Sequence, residues 1–353
     1  MTTPRPHTDG LLAAPPDRDS APLGAQGAEV LRIAGLSRRF GKVLANDDIS
    51  LRVRGGDVVA LLGHNGAGKT TLVSQLVGLL RPHAGQIRVG GADAVADPAA
   101  ARRRVALQAQ AHAPLDGLTP RAAIEIAARL RGASRRESRS SAAALADELD
   151  IAQWMDRRAL PDGAGISGGV RRLAAFAMAV AAPTPLLVLD EPTNDVDASR
   201  RRLLWQAVRR RADAGAGVLL VTHNVAEAER IVDELVILDH GRVVATGTPA
   251  GLRGAHGGDL RLELRGAAPG SPLGAVRGLG APRVRQRSRR GHTDVLTISA
   301  QDASAAVAWA QALREARAIE DYSLCPATLE DVYLAHTAPG PAGTDPSEEA
   351  PHV

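Results

Sequence analysis

Cysteine is almost missing from this chain, with one residue, Cys325, in 353. That excludes an intrachain disulfide framework and a cysteine-built metal cluster, and leaves Cys325 as a small apolar residue. Aromatics are scarce as well, at 2%, so a core has to be packed from Ala, Leu, Val and Ile. Long apolar runs are absent too. The best candidate, Leu173 to Leu189, falls short of the ~20 residues a membrane-spanning helix needs and contains Pro183 and Pro185. It fits a buried helix followed by a buried strand. Near the N-terminus Leu11-Leu12-Ala13-Ala14 stops at Pro15, too short for a signal peptide's apolar core. The expected location is the cytoplasm.

Lysine is the last scarcity. It occurs only at Lys42 and Lys69, and arginine supplies the rest of a basic set that leaves a net charge of +4. The arginines come in scattered groups, Arg102 to Arg104, Arg200 to Arg202 and Arg209 to Arg211, which reads as solvated helix faces. Attraction to an anionic membrane surface or to nucleic acid are the other readings of such a balance; no nucleic-acid partner is expected. With lysine this rare, the place of each one carries information.

What is present is ordinary for a globular protein, 44% hydrophobic residues in alternating short runs and amphipathic segments. Residues 1–28 and 337–353 lack periodicity and are expected to be disordered tails. Val58 to Leu62, Leu186 to Leu189 and Val218 to Val221 are continuous apolar runs of strand length, suited to a parallel sheet covered on both faces. Leu31 to Ile33, Ile49 to Val53 and Ile87 to Val89 suggest a smaller strand layer. Lys69 to Leu80 has helical spacing, and the Ala-, Arg- and Glu-rich segment 116–160 reads as a helical insertion. After Thr248-Pro249 the texture changes. Leu260 to Leu264 and Val295 to Ser299 alternate as half-buried strands, Asp302 to Ala316 is a helix with an N-cap, Ala318 to Leu324 suggests a strand, and Gly266 to Gly291 a loop. The expected fold is α/β, a parallel-sheet core with an antiparallel β layer and helical insertion over 29–249, then a small α+β domain over 250–336.

Gly63-His64-Asn65-Gly66-Ala67-Gly68-Lys69-Thr70 fits G-x-x-x-x-G-K-[ST] in full, follows a predicted strand and opens a predicted helix. Gly63, Gly66 and Gly68 let the backbone curl so that successive N–H groups, Asn65 and its neighbours included, converge on a phosphate at a helix N-terminus. Lys69 supplies a cation to the β- and γ-phosphates, Thr70 a hydroxyl to Mg²⁺, and Thr71 a bond to the α-phosphate. Leu186 to Leu189 then delivers Asp190-Glu191 at a strand's C-terminal end, where α/β sheets build ligand sites. Asp190 can hold Mg²⁺, and Glu191, on the other side of the pleat, can polarise an attacking water.

In this order the two motifs resemble the ABC ATPases, and further features match that family over residues 29–249. Ile166-Ser167-Gly168-Gly169-Val170 resembles the signature L-S-G-G-Q. Gln110 stands where the glutamine loop is expected, with Gln108 the competing residue. Thr193-Asn194-Asp195-Val196-Asp197 looks like the D-loop, Val221-Thr222-His223-Asn224 like the histidine switch, and Phe40 like the adenine-stacking aromatic. The resemblance implies ATP and Mg²⁺ held between two such domains, a homodimer or a heterodimer. Ser167, Gly168 and Gly169 would bond the γ-phosphate across that interface. Gln110 would sense Mg²⁺ and water, His223 would contact the γ-phosphate and Glu191, and Asp197 would couple the sites. Val170 departs from the glutamine of the signature, and loss of a hydrogen bond from that side chain is the expected consequence.

The resemblance also implies a separate integral membrane permease, with this chain peripheral on the inner face of the cell membrane. Ala327-Thr328-Leu329-Glu330-Asp331-Val332-Tyr333-Leu334 resembles the T-L-E-D-V-F-L ending of bacterial drug-export ATPases of the daunorubicin-resistance type. The expected function is an ATP-hydrolysing export subunit. The alternative is an ATP-binding regulator with little hydrolysis and no transport role.

Overall fold

Strands that are apolar on both faces form the centre of the fold. In the computed structural model, which describes residues 27–111, 113, 115–161, 164–255, 259–266, 281–329, 331 and 333, the chain opens with β1 (Glu29–Phe40) and β2 (Val43–Arg54), an antiparallel hairpin. There follow β3 (Val58–Leu62), α1 (Lys69–Leu76), β4 (Ala84–Val89), β5 (Ala92–Asp93), α2 (Pro98–Arg103) and β6 (Val105–Gln108). Next come α3 (Pro120–Leu130), α4 (Arg135–Glu148), α5 (Gly168–Val180), β7 (Leu186–Asp190), α6 (Ala198–Asp213) and β8 (Gly217–Thr222). Then α7 (Val225–Ala228), β9 (Glu234–Asp239), β10 (Arg242–Gly247) and α8 (Pro249–Ala255) lead to the C-terminal elements β11 (Asp259–Arg265), β12 (Val284–Arg290), β13 (Thr293–Ser299), α9 (Ala303–Glu315) and β14 (Asp321–Pro326).

The central sheet runs β10-β9-β3-β8-β7-β6. Its pairings are parallel except at the β10 edge, which is antiparallel to β9. Alternation along each strand divides the interior. Val58, Ala60 and Leu62 of β3, with Leu187, Leu189, Val218 and Leu220, face one cluster together with Phe176 of α5 and Leu204 of α6. Val59, Leu61, Leu186, Val188, Leu219 and Val221 face the other, which holds α1 and the antiparallel sheet β2-β1-β4-β5. Each fully buried leucine contributes about 2 kcal/mol, and a strand with five buried residues such as β3 has no solvent face to lose.

The helices between β6 and β7 begin on strong caps. Thr119 accepts from Ala122 N, and Ser134 with Glu137 forms a reciprocal capping box. The C-terminal sheet, β12-β13-β11-β14, packs Leu262, Leu264, Leu296 and Ile298 under Trp309 and Leu313 of α9. Leu252 of α8 and Leu329 are buried in the first core, and Arg261 on β11 reaches Asp331, two residues beyond Leu329, at 3.3 Å.

Several expectations change. Residues 27 and 28, placed in the N-terminal tail, are pinned by backbone bonds to Gly55, while 1–26 and 337–353 lie outside the described residues. The helix expected over Lys69 to Leu80 stops at Leu76, because Gly78 turns the chain at φ 70°. Part of the loop expected over Gly266 to Gly291 is β12, an arginine-rich edge strand whose Arg285, Arg287 and Arg289 pair with the buried Asp259 and Asp294; 267–280 lie outside the described residues. Asp302 makes no side-chain cap to α9; Ser299 accepts from Gln301 N one turn earlier. The arginines of α6 are not simply solvated. Arg200 pairs with Asp150 and Asp197, Arg209 with Asp213 and Asp233, and both Arg210 and Arg211 with Glu148, which stitches α6 to α4 and to the start of β9.

Candidate functional site

The C-terminal ends of β3, β7 and β8 meet in one place because the three strands are parallel neighbours. From β3 the chain enters the loop 63–68 and starts α1 at Lys69. Gly68 stands at the helix start with φ 105°, and a Cβ there would lie 2.2 Å from Ala45 O, so only glycine fits. α1 has no side-chain N-cap and no acidic residue in its first turn. Its first N–H groups are therefore left for an outside acceptor. Thr70 is exposed and Thr71 half-buried on the same turn, with Asn65 exposed and Gly66 at φ 89° on the loop.

Lys69 is buried, its Nζ donating to Gly63 O at 2.6 Å and to His64 O at 3.0 Å. Burial lowers its pKa, and the charges of Glu191 and Asp190 oppose that shift. Asp190 closes β7 and is buried; burial and then the Glu191 charge push its pKa up to about 6, against Lys69 and Arg172. Two adjacent buried carboxylates with one lysine among them form a site short of positive charge. Glu191 sits at φ 49° with its N–H on Val221 O at 2.9 Å. Its carboxylate accepts from Thr222 Oγ1 at 3.1 Å and His223 N at 2.9 Å, and lies 2.6 Å from His223 Nδ1. His223 keeps an exposed ring, so a side chain fixed by Glu191 is also presented outward.

Ser167 caps α5, its hydroxyl accepting from Val170 N at 3.3 Å. Ser167 is exposed and Gly168 and Gly169 are half-buried. A Cβ on Gly169 would lie 2.5 Å from Asp195 O, so this turn rests directly on the segment after the acidic pair. Val170 faces inward, packed with Leu115, Ala123, Ile166 and Ala174. In this chain the Val170 side chain acts through packing.

Other expected residues stand further out. Phe40 is exposed at the hairpin tip, with the Arg38 guanidinium 4.8 Å from its ring centroid. Gln110 is exposed just past β6, its backbone carbonyl held by Arg172 at 2.9 Å; Gln108 is instead buried, donating to Arg172 O. Asp197 caps α6, its carboxylate held below the usual range by the Ser199 hydroxyl and by Arg200. Among the described residues, no hydrogen bond or ion pair joins Phe40, Ser167 or Asp197 to the Lys69–Glu191 group.

Three supporting residues carry no motif in the sequence. Asn46 is fully buried behind the loop, its Nδ2 donating to Gly68 O at 3.1 Å, and Gln75 of α1 donates to Asn46 Oδ1 at 2.7 Å. Glu227 accepts from Thr193 Oγ1 at 2.9 Å and pairs with Arg201 at 2.7 Å, which links α7 to the segment after Glu191. A lone polar residue has no motif to announce it. The one available signal was Asn46 inside the otherwise strand-like stretch that became β2.

The uncapped helix start, the glycine-only turn and the lysine suit a polyphosphate. The hydroxyl of Thr70 and the carboxylate of Asp190 are hard oxygen donors of the kind Mg²⁺ takes.

Comparison with known proteins agrees with this chemistry. The family model for the ABC transporter matches residues 46–194. The daunorubicin/doxorubicin resistance ATP-binding protein of Streptomyces peucetius is 34% identical over 330 residues, 93% of this chain and 98% of that one. A Nod factor export ATP-binding protein of Ralstonia nicotianae is 33% identical over 320 residues, 89% of this chain and 95% of that one. Among solved structures, the ATP-binding subunit of an ABC transporter superposes with a TM-score of 0.60 at 30% identity, covering 65% of this chain and 93% of that chain.

Proposed function

The chain belongs to the ATP-binding proteins of ABC transporters, and from that premise we propose that it hydrolyses ATP as a dimer to drive export through a separate membrane permease. The observation that carries hydrolysis is the buried Asp190–Glu191 pair beside Lys69, with Glu191 aligned by Thr222 and His223.

Lys69 and the N–H groups opening α1 bind and orient the phosphates. Thr70 and Asp190, with Gln110 from the end of β6, would hold Mg²⁺, which when bound would neutralise charge on the phosphate oxygens. Glu191 takes the proton of the attacking water. His223, its Nδ1 tied to Glu191, keeps the opposite face of its ring for the terminal phosphate. Phe40 offers its exposed ring to adenine. Ser167, Gly168 and Gly169 present a second helix N-terminus outward, as a surface that completes a neighbour's phosphate site requires. Asp197 lies in the segment beneath that turn and couples the two sites.

A permease needs a docking face. No described helix is long and apolar enough to cross a membrane, and α3 exposes Ile126 and Leu130 four residues apart on one side. Export, with drugs or other hydrophobic compounds as cargo, is supported by the names of the Streptomyces and Ralstonia relatives. The regulatory reading rests on Val170, and measured turnover of the chain distinguishes it from the export reading.

Glu191→Gln tests the proposal. ATP affinity should be kept, turnover should fall about 100-fold or more, and ATP should drive an accumulating dimer seen by sedimentation velocity. A variant that hydrolyses normally, or that stays monomeric with ATP, refutes it.

A further inference from the structure

β3 and β9 are parallel neighbours, with Leu62 opposite Ile237. Their C-terminal ends therefore deliver Gly63-His64 and Asp239-His240 to the same spot beside the phosphate loop. We propose that His64, Asp239 and His240 form a site for a transition-metal cation of the zinc class, separate from the Mg²⁺ that accompanies ATP. Each offers one ligand atom, and the three atoms lie within 4.8 Å of one another.

The hydrogen bonds specify the ligand face. His64 Nδ1 is 2.6 Å from Asn65 O. A carbonyl only accepts, so Nδ1 carries the hydrogen, and in the neutral ring Nε2 keeps its lone pair. That Nε2 lies 3.0 Å from Asp239 Oδ1, an oxygen shielded from solvent that no hydrogen bond reaches. Two bare acceptors at that distance repel, so a proton or a metal cation has to lie between them, and a metal turns the repulsion into two bonds. His240 Nδ1 is 2.9 Å from Asp239 Oδ2, so with the hydrogen on its Nε2 the second ring also turns a lone pair toward the carboxylate, where a shared cation would sit.

Two imidazoles and one carboxylate make an open, three-ligand set of the type zinc occupies with water in the fourth position. Imidazole nitrogen disfavours Mg²⁺ and Ca²⁺, which prefer oxygen throughout. Both rings are open to solvent on one side, with side-chain exposures of 42% for His64 and 83% for His240, so an ion can enter and keep water. Gly241 N already bonds Ala67 O at 3.0 Å, and a metal would add a second tie between the phosphate loop and the β9–β10 turn.

The test uses the full chain, freed of nucleotide and metal, titrated with zinc alone at neutral pH by calorimetry. Cobalt substitution reports geometry by visible absorption. One equivalent should bind, excess Mg²⁺ should not displace it, and His64→Gln and His240→Gln should each weaken it about tenfold or more. His83→Gln, away from the site, should leave it unchanged. No binding by the unaltered chain, displacement by Mg²⁺, or wild-type zinc affinity in either His64→Gln or His240→Gln overturns the proposal.

Discussion

The loop-and-acid side of the site and the Ser167 side are built differently. On the first, Lys69, Asp190, Glu191 and Thr222 are buried and linked within one chain, from the ends of three parallel strands. On the second, the backing is buried in the same chain, Val170 in a core cluster and Gly169 against Asp195 O, while the polar edge of Ser167 points to solvent. One side is assembled within the fold. The other turns an exposed serine outward from a buried backing, the arrangement a surface acting on a second copy would need. Substitutions on the first side should therefore alter the isolated chain, and substitutions on the second should alter the assembled pair.

The largest break comes from Lys69→Ala. Removing the cation should cost about 100-fold in ATP affinity, ~3 kcal/mol, measured with a fluorescent analogue on the monomer. Thermal stability should not fall, because burial already penalises the charged lysine. Unchanged affinity would take the phosphate role away from the loop side.

Asp190→Asn separates charge burial from ligand binding. The Asp190 pKa is raised from 3.8 to about 6, first by burial and then by Glu191. Between those values the folded chain holds a proton the unfolded chain has lost, so stability declines as pH rises, and above about pH 6 the full cost applies. That cost is about 3 kcal/mol. The variant should melt above the wild type at neutral pH without Mg²⁺, with the gap closing below pH 4. Magnesium and ATP together should stabilise the wild type far more than the variant. A gap independent of pH would remove charge burial as the cause.

These differences were partly legible in the sequence. β3, β7 and β8 could be read because burial on both faces leaves only apolar residues, and the loop and acid pair because each follows such a strand. β12 could not, since its arginines have no apolar face and make sense only against Asp294 on the adjacent β13 and Asp259 on β11 beyond it, both buried. The end of α1 was misplaced because Val77, Leu79 and Leu80 continue the apolar spacing while Gly78 breaks the helix. Asn46 and Gln75 act as a pair brought together by the fold from 29 residues apart, a relation invisible to local pattern.

Val170 departs from the signature pattern at a buried position, and it sharpens the comparison. As a surface residue, Val170→Gln would restore a hydrogen bond and raise turnover. Packed as it is among Leu115, Ala123 and Ala174, the new amide has to be buried without a partner, at about 2 kcal/mol. Denaturant unfolding should show that loss, with turnover per folded molecule not raised. A more active variant of wild-type stability would return the side chain to the interface.

Ser167 divides support from ligand most finely. Ser167→Ala removes the α5 cap and should cost about 1 kcal/mol of stability, while ATP binding by the monomer stays unchanged. That loss alone could be structural. Ser167→Asp keeps a good cap and adds a charge favourable to the helix dipole, so stability should return to the wild-type value. The same charge would face a triphosphate in the pair and should abolish the ATP-dependent dimer seen with Glu191→Gln. If the doubly substituted chain is stable, binds ATP and still dimerises, the serine is a cap and nothing more.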